Sequence, residues 1–143
     1  MIRFDHLTIA VGDLAEAKRF FSLLGFKEEV SVVISGATFA RYMGVEGIEA
    51  DHVTLVLEGA SPRTEVQLLH YRVPEARPDP ESRNLSRLGI NHVCFAVDDI
   101  DAVLARLKAN GFEARNEIME FHRRKLVFLA GPEGVTVELA QWL

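Results

Sequence analysis

Two histidines stand near the starts of two similar apolar segments of the sequence. His6 lies in FDHLTIAV and His92 lies in INHVCFAV. Two further polar residues also share an apolar context, since Gln67 lies in VQLLHY and Glu138 lies in VELAQW. Imidazole, amide and carboxylate groups are ligands that borderline and moderately hard divalent cations accept in proteins. The sequence therefore predicts a metal site if the fold brings these residues together.

The two segment pairs belong to an internal repeat of the chain. Residues 4–28 align with residues 90–114 without a gap, and this alignment matches the two histidines. The glutamine and the glutamate likewise occupy the same place in their own segments. A repeat of this kind predicts two modules of similar fold.

Each module is predicted to contain one strand, one helix and three further strands. In the first module Asp13 can cap the helix, and Glu16 would complete a capping box. Gly25 can end this helix, because glycine adopts the left-handed conformation without steric cost. Asp99 and Gly111 predict the corresponding ends of the second helix.

The other strands are predicted from short apolar or alternating runs that end at turn signals. They are expected near residues 28–34, 52–57, 65–71, 114–119, 125–130 and 135–140. Residues 35–50 are interpreted as a loop that could form a pocket wall.

We expect one domain, residues 1–143, built from the two modules. The first module covers about residues 1–73 and the second about residues 89–143. The segment between them, about residues 74–88, is rich in proline, arginine and serine and is interpreted as a linker. Modules this small can hardly bury their sheets alone, so the two are expected to share one domain.

Strand alternation places the polar residues on the face that points away from the helices. Side chains alternate across a strand, so His6 and Thr8 share one face, and Ile9 points to the helix. The same argument places the other histidine, Gln67 and Glu138 on that face. A buried unpaired polar group costs about 1–3 kcal/mol, which favours a shared metal over independent structural residues. The alternative for any single one of them is a structural or wet edge residue.

Further residues on this face, or near its expected rim, could line a substrate pocket. These candidates are Thr8, His52, Thr54, Tyr42, Met43 and His122. Packing or solvent exposure is the alternative interpretation for each of them.

Composition and charge narrow the functional class. The chain has 143 residues, 48% hydrophobic and 26% charged, which is typical of a soluble globular domain. A net charge of −5 disfavours nucleic-acid binding, and no apolar run approaches the roughly 18 residues of a membrane span. The single cysteine, Cys94, excludes an internal disulfide. We therefore expect a cytoplasmic protein without nucleic-acid or membrane partners.

Nearly the whole chain resembles the vicinal oxygen chelate superfamily. This group includes glyoxalase I, methylmalonyl-CoA epimerase, extradiol dioxygenases, fosfomycin-modifying enzymes and bleomycin-binding proteins. The matching segments are DHLTIAVGDLAEAKRFF, VQLLHY, INHVCFAVDDIDAVLARLKANGF and FLAGPEGVTVELAQ. The resemblance implies an α+β fold in which two paired βαβββ modules form a cupped mixed β-sheet with helices on the outer side.

The resemblance also implies an activity and a ligand set. The implied metal ligands are His6, Gln67, His92 and Glu138, and the implied cofactor is a divalent metal such as Zn, Ni, Co or Mn. The implied enzyme is a lyase or isomerase of the glyoxalase/epimerase type, which abstracts a proton next to a carbonyl while the metal holds the enolate oxygen. Glu138 is the implied catalytic base, with a purely structural ligand as the alternative. A small-molecule substrate and a homodimer are implied likewise.

Several other activities stay open within the resemblance. An extradiol-type dioxygenase usually has a tyrosine some ten residues before its last ligand, where this chain has Phe128. A fosfomycin-type thiol transferase has a threonine two residues after the histidine, as in His6 and Thr8. A specific acyl-CoA epimerase needs a second base on the third strand, where the chain offers Thr54 or His52. A non-catalytic protein that sequesters a drug or other small molecule is the alternative outside enzymes.

Overall fold

The computed structural model describes residues 1–143. It contains two units that share a β-α-β-β-β order, and the first unit has one additional helix. The units are Met1–Pro78 and Asp79–Leu143. The boundary between them lies within the segment interpreted as a linker. None of the three helices is long and apolar enough to cross a membrane.

The first unit is a four-stranded mixed sheet with two helices. Its elements are β1 (His6–Ala10), α1 (Leu14–Leu23), β2 (Phe26–Ser35), α2 (Ala37–Met43), β3 (Glu49–Leu57) and β4 (Glu65–Val73). The strands follow the order β1-β4-β3-β2. β1 pairs with β4 in parallel, and the other two pairings are antiparallel.

The second unit repeats this topology with one helix. Its elements are β5 (Val93–Ala96), α3 (Ile100–Ala109), β6 (Met119–Phe121), β7 (Arg124–Ala130) and β8 (Thr136–Trp142). The strands follow the order β5-β8-β7-β6, and β5 pairs with β8 in parallel. The predicted α+β class and the repeated βαβββ order are therefore confirmed.

Helix ends follow the predicted capping residues. The Glu16 amide donates to Asp13 Oδ1 at 2.9 Å, and the Ala102 amide donates to Asp99 Oδ1 at 2.9 Å. Gly25 follows α1 with φ of 98°, the left-handed conformation expected of it. The Glu16 carboxylate pairs with Arg19 at 3.0 Å, so an ion pair stands where a capping box was predicted.

α1 and α3 each cover the apolar face of their own sheet. In the first unit, Ala17, Phe20 and Phe21 of α1 are buried. The strand residues buried on that side are Ile9, Val53, Leu55, Val66 and Leu68. In the second unit, α3 buries Ile100, Leu104 and Leu107. Because alternate strand residues point to opposite faces, the residues next to this apolar set lie on the face that points away from the helix.

The interpretation of residues 35–50 as a loop was wrong, because the segment contains α2. This helix begins after Gly36 and ends at Gly44, and both glycines have positive φ. Ala40 and Met43 of α2 pack against a buried cluster made of Ile34, Ile48, Ala50 and Leu69. A helix of seven residues is marginal by itself, so this packing is what stabilises it.

The strand predicted at residues 114–119 is also wrong for most of its length. β6 begins at Met119, and Ala114 forms only an isolated bridge with Leu129. The side-chain oxygen Oδ1 of Asn116 accepts the Phe128 amide at 2.9 Å. A side chain that accepts a backbone N–H of a neighbouring strand competes with strand pairing, and the segment is left irregular.

We expect Asp99→Ala to lower the free energy of unfolding by about 1 kcal/mol, because the first turn of α3 loses its cap. Urea unfolding measures this change. Asp98→Ala removes a neighbouring exposed carboxylate and is the matched control. Equal stability of Asp99→Ala and Asp98→Ala would contradict the role of the cap.

Candidate functional site

The candidate ligands of the first unit lie on the face of the sheet that points away from α1. The parallel pairing of β1 with β4 places Thr8 beside Gln67. On the other side of β4, Thr54 of β3 stands opposite Gln67. His6 lies on the same face as Thr8, because residues two apart along a strand point the same way. The sheet thus gathers four predicted site residues on one face.

The Gln67 amide is held in one orientation by three side chains. The Thr8 hydroxyl donates to Gln67 Oε1 at 3.2 Å, and His52 Nε2 lies 3.0 Å from the same oxygen. Gln67 Nε2 donates to the Glu65 carboxylate at 2.8 Å. Because the amide oxygen only accepts, His52 carries its proton on Nε2. A cation bound by this oxygen would take the place of one of these two donors.

A chain of ion pairs fixes Glu65 beside Gln67. Arg63 pairs with Glu65 at 3.1 Å and with Glu29 at 2.9 Å. These hydrogen bonds, that to Glu29 foremost, raise the pKa of Arg63, and the Arg63 guanidinium lowers the pKa of Glu29. Glu65 is therefore held in place as the acceptor for the Gln67 amide nitrogen.

His6 is oriented by the residue that precedes it. Its Nδ1 lies 2.5 Å from Asp5 Oδ1. A carboxylate only accepts, so Nδ1 of His6 carries a proton. In the neutral ring, the lone pair is then on Nε2, which is the atom available to a metal.

In the second unit, His92 and Glu138 are in direct contact. His92 Nε2 lies 2.7 Å from Glu138 Oε2. Strand pairing places Cys94 on one side of Glu138 and Phe128 on the other. The His92 ring packs against Phe128 with ring centroids 5.2 Å apart. Glu138 is only 8% exposed, so its carboxylate is buried with His92 as its polar partner.

Both ring nitrogens of His92 face hydrogen-bond acceptors. Asn91 Nδ2 donates to the Leu85 carbonyl at 2.6 Å, which turns Asn91 Oδ1 toward His92 Nδ1 at 2.7 Å. Nδ1 therefore donates, and Nε2 faces the Glu138 carboxylate. A metal ion bound by the imidazole and the carboxylate would take the place of this contact.

The two units repeat this arrangement at equivalent positions. Asp5 and Asn91 each precede a candidate histidine and present a side-chain oxygen to its Nδ1. In each unit the residue two after the histidine stands beside the glutamine or glutamate of the last strand. Asp5 and Asn91 were not among the sequence predictions. The repeat alignment pairs them, and this pairing is the signal that could have identified them.

Cys94 is the remaining reactive group on the candidate face of the second unit. Burial raises the pKa of its thiol, the Glu138 carboxylate raises it further, and Arg124 opposes the shift. Because the thiolate is the metal-binding form, this environment disfavours Cys94 as a ligand.

Thr8 and Thr54 stand beside Gln67 in the sheet, and His52 contacts its side chain. Met43 packs against the buried cluster that contains Leu69, which lies two residues from Gln67 and therefore on the same face of β4. Tyr42 is 83% exposed. His122 lies between β6 and β7 with φ of 49°.

The candidate ligands fit a divalent cation by donor type. No three or more His, Cys, Asp or Glu side chains cluster closely enough to hold a metal ion. Each unit instead brings a histidine onto one face with Gln67 or Glu138. Imidazole nitrogens, an amide oxygen and a carboxylate are together a donor set suited to a borderline or moderately hard divalent ion.

Several curated relatives carry enzyme names, among them an epimerase and a glyoxalase. Methylmalonyl-CoA epimerase of Homo sapiens, a mitochondrial protein, is 30% identical over 146 residues, 97% of this chain and 73% of the relative. Glyoxalase I of Saccharomyces cerevisiae is 29% identical over 77 residues, which is 52% of this chain. The match spans 24% of the length of that glyoxalase.

A solved structure and a family model cover nearly all of the chain. A glyoxalase family protein from Bacillus cereus has a TM-score of 0.89 and 26% identity, and the match covers 100% of this chain and 95% of that one. Residues 3–139 match the model of the Glyoxalase/Bleomycin resistance protein/Dioxygenase superfamily. The chain therefore belongs to the glyoxalase/bleomycin resistance protein/dioxygenase superfamily.

Proposed function

We propose that the chain is a divalent-metal-dependent lyase or isomerase that removes a proton from the carbon next to a carbonyl group. His6 and Gln67 would be the ligands from the first unit, and His92 and Glu138 those from the second. The metal would be Zn, Ni, Co or Mn. The substrate would be a small molecule and the working form a cytoplasmic homodimer. The names of two enzyme relatives, a glyoxalase and an epimerase, support this class.

The observation that carries this proposal is the matched orientation of the two histidines. Each has Nδ1 held by the side chain of the preceding residue. Metal-binding histidines characteristically donate their second ring nitrogen to a carboxylate, carbonyl or water, which fixes the ring and raises its basicity. A structural histidine needs no such arrangement, and its repetition in both units favours a common ligand role.

Glu138 is the proposed base for proton transfer. Glu138 is only 8% exposed, so its carboxylate is poorly hydrated, which favours its taking a proton from the substrate. His92 Nε2, 2.7 Å away, keeps the carboxylate in place. When bound, the divalent ion supplies a Lewis acid that stabilises negative charge on the carbonyl oxygen.

His52 is proposed to position Gln67. Its Nε2 carries a proton and is engaged with Gln67 Oε1 at 3.0 Å. The contact with the Gln67 oxygen through Nε2 leaves the Nδ1 lone pair of His52 unassigned, and the positioning role is proposed from the Nε2 contact alone.

We expect Gln67→Ala and His92→Ala each to weaken metal binding by at least about tenfold, the lower end of what outer-shell partners of metal sites contribute. Competition with a chromogenic chelator measures the affinity. His70→Ala is the matched control, because His70 lies on β4 with its Nδ1 at the Val11 carbonyl. Wild-type affinity in both ligand variants would refute the ligand assignment. Metal-free protein that cannot be reconstituted would favour a sequestering protein.

We expect Asp5→Ala and Asn91→Ala to weaken metal binding by about 10–100-fold although neither removes a ligand. The loss follows because the ring of each histidine is no longer oriented through its Nδ1. The same chelator competition measures it, with Asp98→Ala as an exposed control. Affinities equal to that of Asp98→Ala would show that these residues do not orient the histidines.

We expect Glu138→Gln to abolish exchange of the substrate α-proton with solvent deuterium, because an amide cannot accept the proton. Nuclear magnetic resonance in deuterated buffer measures the exchange, with acyl-CoA thioesters and 2-oxoaldehyde–thiol adducts as test substrates. Glu120→Gln alters an exposed glutamate of the same unit and is the control. Normal exchange in Glu138→Gln would exclude Glu138 as the base.

A further inference from the structure

Arg124 lies against an aromatic ring on the candidate face of the second unit. Its guanidinium carbon is 4.8 Å from the centre of the Trp142 ring, and the two residues stand opposite each other on β7 and β8. Stacking on an aromatic face holds a planar guanidinium in one orientation while leaving its edge free to donate.

This guanidinium has no anionic partner in the structure. Arg124 Nε is buried and has no hydrogen-bond partner, and Arg124 forms no ion pair with a carboxylate. Lys125, the next residue of the strand, points to the opposite face and pairs with Asp101 at 3.4 Å. The charge of Lys125 is therefore neutralised by the protein, whereas that of Arg124 is not. A buried donor without an acceptor is a place where a ligand or an ordered water can supply one.

An apolar strip separates Arg124 from Glu138 on the same face. Phe128 stands opposite Glu138, and Leu126 lies between Phe128 and Arg124 on alternate positions of β7. β6 adds Met119 beside Leu126, and this methionine is 52% exposed. Trp142, the residue opposite Arg124, lies four positions after Glu138 on β8, which corresponds to a backbone separation of about 13 Å.

We propose that Arg124 and Trp142 bind an anionic group, a carboxylate or a phosphate, at the end of the substrate remote from Glu138. The chain of the substrate would lie along the apolar strip, and its anion would accept the fork of guanidinium donors. Paired N–H donors in a fixed plane match carboxylate and phosphate oxygens. This inference rests on the proposed function in one respect, which is that the reacting end of the substrate lies at Glu138.

Two kinds of thiol cofactor carry the required anion. A glutathione adduct presents carboxylates, and a coenzyme A thioester presents phosphates at the end of a longer chain. S-hexylglutathione and coenzyme A are therefore the probes, and the probe that depends on Arg124 identifies the source. Trp142 is the single tryptophan of the chain, so its fluorescence reports binding at Arg124 directly.

The experiment titrates metal-free wild type, Arg124→Met, Arg124→Lys and Lys125→Met with each probe, with calorimetry as a second measurement of affinity. We expect at least one probe to bind the wild type and to bind Arg124→Met at least about tenfold more weakly, a typical loss for a charge-assisted pair. Lys125→Met should stay within about twofold of the wild type because its charge faces the other side. Arg124→Lys should recover part of the affinity because the charge is retained, which separates a lost contact from misfolding.

Three outcomes would overturn the anion site. They are binding of neither probe to the wild type, undiminished affinity in Arg124→Met, and an equal loss in Lys125→Met. The titration needs no metal and no turnover. A failure of the proposed reaction would therefore leave the anion site testable, and a failure of the anion site would leave proton exchange at Glu138 testable.

Discussion

The parallel pairing of the first strand of each unit with its last strand is the constraint on which the candidate site depends. In the first unit it sets Thr8 beside Gln67, and in the second it sets Cys94 beside Glu138. A slip of one residue in either pairing would move the last-strand donor to the helix face, because strand side chains alternate. The register is fixed by burial on the helix face, where residues such as Leu68 and Leu139 are fully covered. The apolar core thus determines where the polar donors lie.

Local hydrogen bonds then decide which atoms of those donors are available. Asp5 and Asn91 hold Nδ1 of the neighbouring histidines, and Glu65 holds the amide nitrogen of Gln67. Each contact engages one of the two polar atoms of an imidazole ring or an amide group, and so fixes the orientation of that group. In the neutral ring of His6 the lone pair is left on Nε2, whereas Nε2 of His92 faces Glu138 and the Gln67 oxygen accepts from Thr8 and His52. Such fixed orientation is what distinguishes a ligand set from polar residues that merely share a surface.

The sequence was sufficient for the βαβββ order of the two units, apart from α2, and for the face on which the candidate residues lie. These follow from strand alternation and from capping residues such as Asp13 and Asp99, which act through neighbours in the chain. Contacts between distant segments were not predictable in this way. α2 exists because Met43 packs on a cluster from other elements, and strand pairing is interrupted near Asn116 because its side chain bonds Phe128. Periodicity describes the backbone state of isolated segments and contains no information on such partners.

The buried carboxylate of Glu138 connects the chemistry of the site to its packing. An ionised carboxylate shielded from water needs a positive charge or several donors close to it. His92 is its contact at 2.7 Å, and Asn91 engages the other nitrogen of the same ring. A divalent cation held between the imidazole and the carboxylate would supply that charge, and both groups are ligands of the kind that such an ion accepts.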